Sequence, residues 1–243
     1  MLRVLHEFHD LPDPGPLREE TAVLRRAPGC ASAELYASLD GSAFHVLTML
    51  WETEEAYDAF WRRALAGDYP VLTDLVTGAY ADTSVTTEFY RREIFALRNG
   101  VWEPERLGES HRAIRWPAVG AVRVVIQHAV QATPAMYERI GAEVAETRRE
   151  EGCLVYHWCE DVDLPGHLLL VELWADQVIY DRHWALRGAT AAFRGDTLRI
   201  PARPQRGPET REFYRRQRFR HLYERWLPAD SYAYATTVSW PAG

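Results

Sequence analysis

The sequence predicts an α+β fold made of two copies of one strand–helix–strand–strand–helix–strand unit. Three observations predict it: an internal repeat, the same succession of hydrophobic periodicities in each half, and turn residues between the paired strands. Sliding the chain by 123 positions lays Gly29 and Cys30 on Gly152 and Cys153, Asp40 on Asp163, and Leu47 on Leu170. It also lays Leu50 and Trp51 on Leu173 and Trp174, Tyr57 and Asp58 on Tyr180 and Asp181, and Trp61 on Trp184. That makes nine identities in the 33 positions from Gly29 to Trp61, without a gap. At a shift of 124, the segment Thr86–Phe95 matches Thr210–Phe219 at seven of ten positions. Two such blocks in the same order mark a duplication.

Each element follows from local pattern. In the second copy, Ala121–Gln131 is rich in Val and Ile and reads as a buried strand. Thr133 then offers an N-cap and Pro134 a first-turn proline. The helix runs through Met136, Ile140, Val144 and Thr147, at three- and four-residue spacing, until Gly152 ends it. Cys153–Asp161 and His167–Trp174 read as two strands joined by the turn at Pro165 and Gly166. Asp176 is placed to cap a helix over Gln177–Leu186, and a last strand falls near Glu209–Phe219. The first copy follows as Leu2–His9, Pro14–Arg26, Cys30–Ser38, Phe44–Trp51, Thr53–Ala66 and Val85–Phe95. The organisation expected is a first repeat over 1–97, a linker over 98–118, a second repeat over 119–226 and a C-terminal tail over 227–243.

The order β-α-β-β-α-β makes a four-stranded antiparallel sheet with two helices on one face, the ferredoxin-like arrangement. The other face needs a cover. Two copies in one chain can cover each other, which predicts an intramolecular eight-stranded α+β barrel with helices outside.

Composition narrows the function. The chain has 243 residues and a formal charge of −7, which disfavours nucleic acid as a partner. No apolar run approaches the roughly 20 residues a membrane span needs, so no membrane partner is expected. The N-terminus reaches His6 and Glu7 too soon for a secretory signal, and three cysteines suit reduced thiols; a cytoplasmic protein is expected. All 28 basic residues are Arg, which excludes a lysine Schiff base or a phosphate-loop lysine. No Gly-rich dinucleotide loop, P-loop or HExxH motif occurs. Nine Trp and twelve Tyr could line a pocket for a flat ligand, or simply pack.

The run Glu151, Gly152, Cys153, Leu154, Val155, Tyr156, the turn at Pro165 and Gly166, the strand Leu168–Trp174 and the segment Ile179–His183 together resemble the antibiotic biosynthesis monooxygenase family. The likeness covers Ala121 to about Phe193. It is weaker in the first copy, through Pro28, Gly29, Cys30, Trp51, Tyr57 and Asp58. The first copy also carries Met49 where Glu172 stands, and Phe60 where His183 stands. The resemblance implies a dimeric α+β barrel, here fused into one chain. It implies oxygenation of an electron-rich aromatic, such as an anthrone-like polyketide intermediate, without metal, flavin or haem. No cofactor is expected; molecular oxygen is the co-substrate.

Such chemistry needs a group to take a proton and groups to bind a flat substrate and stabilise oxyanion charge. His183 on the second-copy helix is a candidate proton acceptor, against a packing role. His157 lies on the strand after Cys153, where the first copy has Glu34. Strand alternation separates Leu154, Tyr156 and Trp158 from Cys153, Val155, His157 and Cys159 without saying which set faces the helices. Glu172, among leucines, could be a base with a raised pKa or a satisfied structural carboxylate. Trp174 recurs as Trp51, so packing competes with substrate contact. Tyr156, Trp158, Trp174, Tyr180 and Trp184 are the candidate substrate-binding rings, while residues that differ between halves are the better functional suspects. The Arg-rich stretch Arg203–Arg225 reads as a solvated edge strand because Glu88–Arg92 repeats within it.

Three other functions compete. A polyketide cyclase would use the same acid–base groups on the same fold. A non-catalytic small-molecule binding protein would need only the pocket. A haem-degrading enzyme could ligate haem through His183, but Asn99 is the only asparagine and falls in the linker. The expected partner is a small aromatic polyketide-like substrate, and a homodimer of the fused barrel is allowed.

Overall fold

The computed structural model describes residues 2–78, 85–91, 94–98, 101–105, 116–117, 122–129, 131–175, 178–180, 182–183, 210–214, 218–222, 225–228 and 236–238. In chain order the elements are β1 (Leu2–Phe8), α1 (Gly15–Leu24), β2 (Cys30–Ser38), β3 (His45–Trp51), α2 (Glu54–Arg63), α3 (Pro70–Gly78) and β4 (Val85–Arg91). Then come β5 (Ile94–Arg98), β6 (Val101–Glu105), β7 (Trp116–Pro117), β8 (Val122–Ala129), α4 (Pro134–Thr147), β9 (Cys153–Asp161) and β10 (His167–Trp174). The last strands are β11 (Thr210–Tyr214), β12 (Arg218–Leu222), β13 (Arg225–Pro228) and β14 (Thr236–Val238). Residues 178–180 and 182–183 are helical, inside the helix expected over Gln177–Leu186.

The chain divides into two compact units, one of Met1–Arg92, Asp161–Asp163 and Arg216–Ala235, the other of Glu93–Glu160, Leu164–Arg215 and Thr236–Gly243. In the first unit, β1 lies antiparallel between β3 and β4, and β3 pairs antiparallel with β2. The strand order of this repeat is therefore β4-β1-β3-β2. In the second unit, β8 lies antiparallel between β10 and β11, and β10 pairs antiparallel with β9. That order, β11-β8-β10-β9, is the same arrangement again. Both repeats are ferredoxin-like, as the duplication predicts.

Local chemistry sets the helices. Thr53 and Thr133 sit in extended backbone, and their hydroxyls accept from the amides of Ala56 and Met136. Each is thus a working N-cap, worth about 1 kcal/mol. On α4, Met136, Ile140, Val144 and Thr147 are buried, the face that the spacing predicts. In the first repeat the helix-facing side of the sheet is an apolar core, in which Val4, Ala33, Leu35, Leu47, Met49 and Trp51 pack with Leu17, Leu24, Tyr57, Phe60 and Trp61.

The structure corrects four expectations. The stretch read as a linker carries β6 and β7, which pair with each other and with β5. Thr210–Tyr214 is no edge strand, because β11 has β8 on one side and β14 on the other; β4 likewise lies between β1 and β12. The expected strand Val85–Phe95 divides into β4 and β5, and Glu209–Phe219 into β11 and β12. Finally, α3 is an element the periodicity did not announce. Beyond α2 the chain passes through a wide turn at Ala64–Asp68, where Gly67 takes φ 103°. The first two amides of α3 then donate to a carboxylate far off in sequence: Val71 N to Glu20 Oε1 at 3.0 Å and Leu72 N to Glu20 Oε2 at 2.6 Å. A cap supplied through tertiary contact leaves no trace in the local sequence.

Candidate active site

Several polar side chains of the second repeat gather on the helix-facing side of its sheet. Strand register places Glu172 beside Tyr156 and Leu170 beside Trp158, so these four share one face of β9 and β10. Glu143 identifies that face as the helical one. It projects from α4 and accepts hydrogen bonds at Oε1 from both the Tyr156 hydroxyl and Trp158 Nε1, the latter at 3.0 Å. The face left open by sequence alternation is thereby settled: Tyr156 and Trp158 point toward the helices and are buried.

Two residues along β10, Trp174 donates from Nε1 to Glu172 Oε2 at 2.6 Å. Both side chains are buried, and the carboxylate accepts from a fixed indole donor. The Trp174 ring lies 4.5 Å from the His183 ring and 6.2 Å from that of Tyr180, centroid to centroid. Tyr156 meets His183 edge-on at 6.4 Å. His183 is only 3% exposed, and its Nδ1 lies 2.9 Å from Glu150 Oε2. Six of the sequence-predicted residues therefore come together: His183, Glu172, Tyr156, Trp158, Trp174 and Tyr180.

His157 is not brought to this cluster. By strand alternation it lies on the opposite face of β9 from Tyr156, and its Nδ1 accepts from Arg148 Nη2 at 3.0 Å. Trp184, and the Asp176 cap, lie outside the described residues.

Sequence reasoning missed Glu143 and Glu150. A position-by-position comparison of the halves contains the signal for Glu150. At a shift of 123, Glu150 falls on Ala27, Tyr156 on Ala33, Trp158 on Leu35, Glu172 on Met49 and His183 on Phe60. All five counterparts are buried apolar residues of the first repeat's core. Glu143 falls on Glu20, which caps α3 instead. The same scaffold is packed with hydrocarbon in one repeat and with hydrogen-bonded polar groups in the other.

The electrostatics agree with the geometry. Burial pushes the Cys153 thiol up to about 11, with the charges of Glu172 and Glu150 adding to the shift. A thiol held that high is no nucleophile near neutral pH. Among the described residues, no group of three or more His, Cys, Asp and Glu side chains is spaced to hold a metal ion. Among them, too, no helix is long and apolar enough to cross a membrane.

Chemically, the cluster offers an imidazole beside a carboxylate, a phenol, and a set of indole and phenol rings within a largely apolar surround. Comparison with known proteins bears on what such a set serves. The profile of the antibiotic biosynthesis monooxygenase family matches residues 17–67 and 124–194, one segment in each repeat and together just over half of the chain. Among curated proteins no sequence matches. Among solved structures, a candidate monooxygenase from Lactobacillus acidophilus NCFM aligns over 80% of this chain and 84% of its own, at 11% identity and a TM-score of 0.32. One from Fusobacterium nucleatum subsp. nucleatum aligns over 80% and 82%, at 11% identity and a TM-score of 0.31. An anthrone oxidase-like protein aligns over 80% and 82%, at 14% identity and a TM-score of 0.31. With its profile matched once in each ferredoxin-like repeat, the chain belongs to the antibiotic biosynthesis monooxygenase family, and its activity class is that of a monooxygenase.

Proposed function

We propose that the protein oxidises an electron-rich polycyclic phenol of the anthrone type, by deprotonating it and letting the resulting anion react with molecular oxygen. The observation that carries this reading is the polar cluster of the second repeat, in which Glu150, Tyr156, Trp158, Glu172 and His183 stand where the first repeat has Ala27, Ala33, Leu35, Met49 and Phe60. His183 would take the proton from the substrate carbon or phenol, its ring held between Trp174 and Tyr156. The Trp158, Trp174 and Tyr180 rings would stack against or edge a flat substrate. On substrate binding the Tyr156 hydroxyl would turn from Glu143 Oε1, its acceptor in the structure, to donate to the oxygen that gains negative charge.

The reaction balances without an external reductant. An anthrone methylene loses two hydrogens and gains one oxygen atom, becoming the quinone carbonyl; the second oxygen atom leaves as water. The substrate supplies all four electrons that O2 accepts. In this reading no metal, flavin or haem takes part, and the partner is a small aromatic molecule of the kind made in aromatic polyketide pathways.

The test is oxygen uptake with anthrone as substrate. The proposal expects one O2 consumed per quinone formed, with one labelled atom from 18O2 in the product. It also expects His183→Ala to lower kcat by about 100-fold, the lower end of what a positioned base contributes. Ring closure of a polyketide chain without oxygen uptake would replace this reading with a cyclase.

A further inference from the structure

We infer that Glu150 is a positioning residue for His183, holding its imidazole in the tautomer protonated on Nδ1 so that the lone pair that receives the substrate proton is on Nε2. This rests on the base role proposed for His183. Three observations carry it.

The first is geometric. Glu150 Oε2 lies 2.9 Å from His183 Nδ1, and an ionised carboxylate can only accept, so Nδ1 is the donor. Free imidazole favours no such arrangement by itself; which nitrogen carries the proton is set by what the other one meets. The second concerns environment. The His183 side chain is 4% exposed and that of Glu150 22% exposed, so the carboxylate stays in touch with water while its partner does not. The third is internal to the chain. Glu150 and His183 correspond to Ala27 and Phe60, which are both apolar and both buried in the first repeat. The ionisable pair is present together in one repeat and absent together in the other, although the surrounding backbone contacts are shared. Cys153 N donates to Glu150 O at 3.2 Å just as Cys30 N donates to Ala27 O at 3.0 Å. The turn would form with alanine; the carboxylate is there for its partner.

The experiment combines 15N NMR of the histidine rings in the full chain with steady-state oxygen uptake on anthrone. The His183 signals are assigned by their loss in His183→Ala. The wild type is expected to show Nδ1 protonated and Nε2 unprotonated. Glu150→Ala is expected to shift His183 toward the Nε2-protonated form and to lower kcat tenfold or more, with KM within about twofold. Glu150→Gln keeps an acceptor oxygen but loses the charge. It is expected to restore the tautomer and to move the acid limb of the pH–rate profile down by about one pH unit. A purely structural glutamate would move neither tautomer nor limb. A wild-type His183 protonated on Nε2, or a tautomer and acid limb unchanged in Glu150→Ala, would overturn the assignment. His183→Ala separates the two levels. Undiminished turnover there overturns the base role itself, whereas lost turnover there with an unmoved tautomer in Glu150→Ala overturns only the part given to Glu150.

Discussion

Arg148 does in the second repeat what Arg25 does in the first. Each follows the last residue or turn of a helix, and each donates from Nε to a backbone carbonyl eight residues on: Arg148 to Tyr156 O at 2.9 Å, Arg25 to Ala33 O at 2.7 Å. The glycines four residues further on match as well. Gly152 O accepts from Ala175 N, and Gly29 O accepts from Glu52 N, both at 2.9 Å. This helix-to-strand clasp is the part of the unit that duplication has kept while the side chains it presents have diverged. Removing it by Arg148→Ala should cost about 1.5–3 kcal/mol in denaturant unfolding, the range for a hydrogen bond to a charged donor. It should also lower turnover, because the freed turn holds Glu150.

Gly152 sets the second helix of its repeat against the sheet. Its φ is +78°, and a β-carbon there would stand 2.6 Å from Ile179 Cδ1. At Gly29 the φ is +79°, and a β-carbon would meet Ala56 Cβ at 2.5 Å, the corresponding position. Gly152→Ala should therefore destabilise by about 1–3 kcal/mol through backbone strain and overlap. Because the displaced residue is four positions before His183, it should also lower kcat. Gly29→Ala should cost comparable stability with turnover lowered less, and paired unfolding and oxygen-uptake curves would distinguish the two.

His6 gives the fold a pH dependence of defined sign. It is fully buried on β1, its Nδ1 lies 2.8 Å from Thr87 Oγ1, and burial lowers its pKa to about 3. Between roughly pH 6.5 and 3 the unfolded chain binds a proton that the folded chain does not, so stability falls as pH falls through that window. The slope from this one group approaches about 1.4 kcal/mol per pH unit. Urea midpoints measured from pH 7 to 5 should drop accordingly, and His6→Gln should flatten the curve even if it is less stable throughout. An unchanged slope in His6→Gln would remove His6 from the account.

Much of this was legible in the sequence because duplication and periodicity are statements about backbone. Gly29 and Gly152, Trp51 and Trp174, and the Thr133–Pro134 start of α4 all mark positions that either repeat needs in order to fold. The helix-facing side of β9 was not legible, since alternation separates two faces without naming them. It took a residue from another element, Glu143, to settle which face Tyr156 occupies. Glu150 escaped notice for a related reason. A glutamate beside a helix end is ordinary in sequence, and its meaning depends on an imidazole 33 residues away. The capping of α3 by Glu20 is of the same kind. What sequence conceals here is contact between elements, not the elements themselves.

The central claim is that one repeat carries the chemistry on a scaffold that the other fills with hydrocarbon. It is tested most directly by oxygen uptake on anthrone after one change in the helix-facing core of each repeat. His183→Phe installs the residue that the first repeat uses, and Met49→Leu alters the first repeat alone. The account predicts a folded His183→Phe protein whose turnover falls by about 100-fold, and a Met49→Leu protein within about twofold of wild type. Wild-type turnover in folded His183→Phe would contradict it.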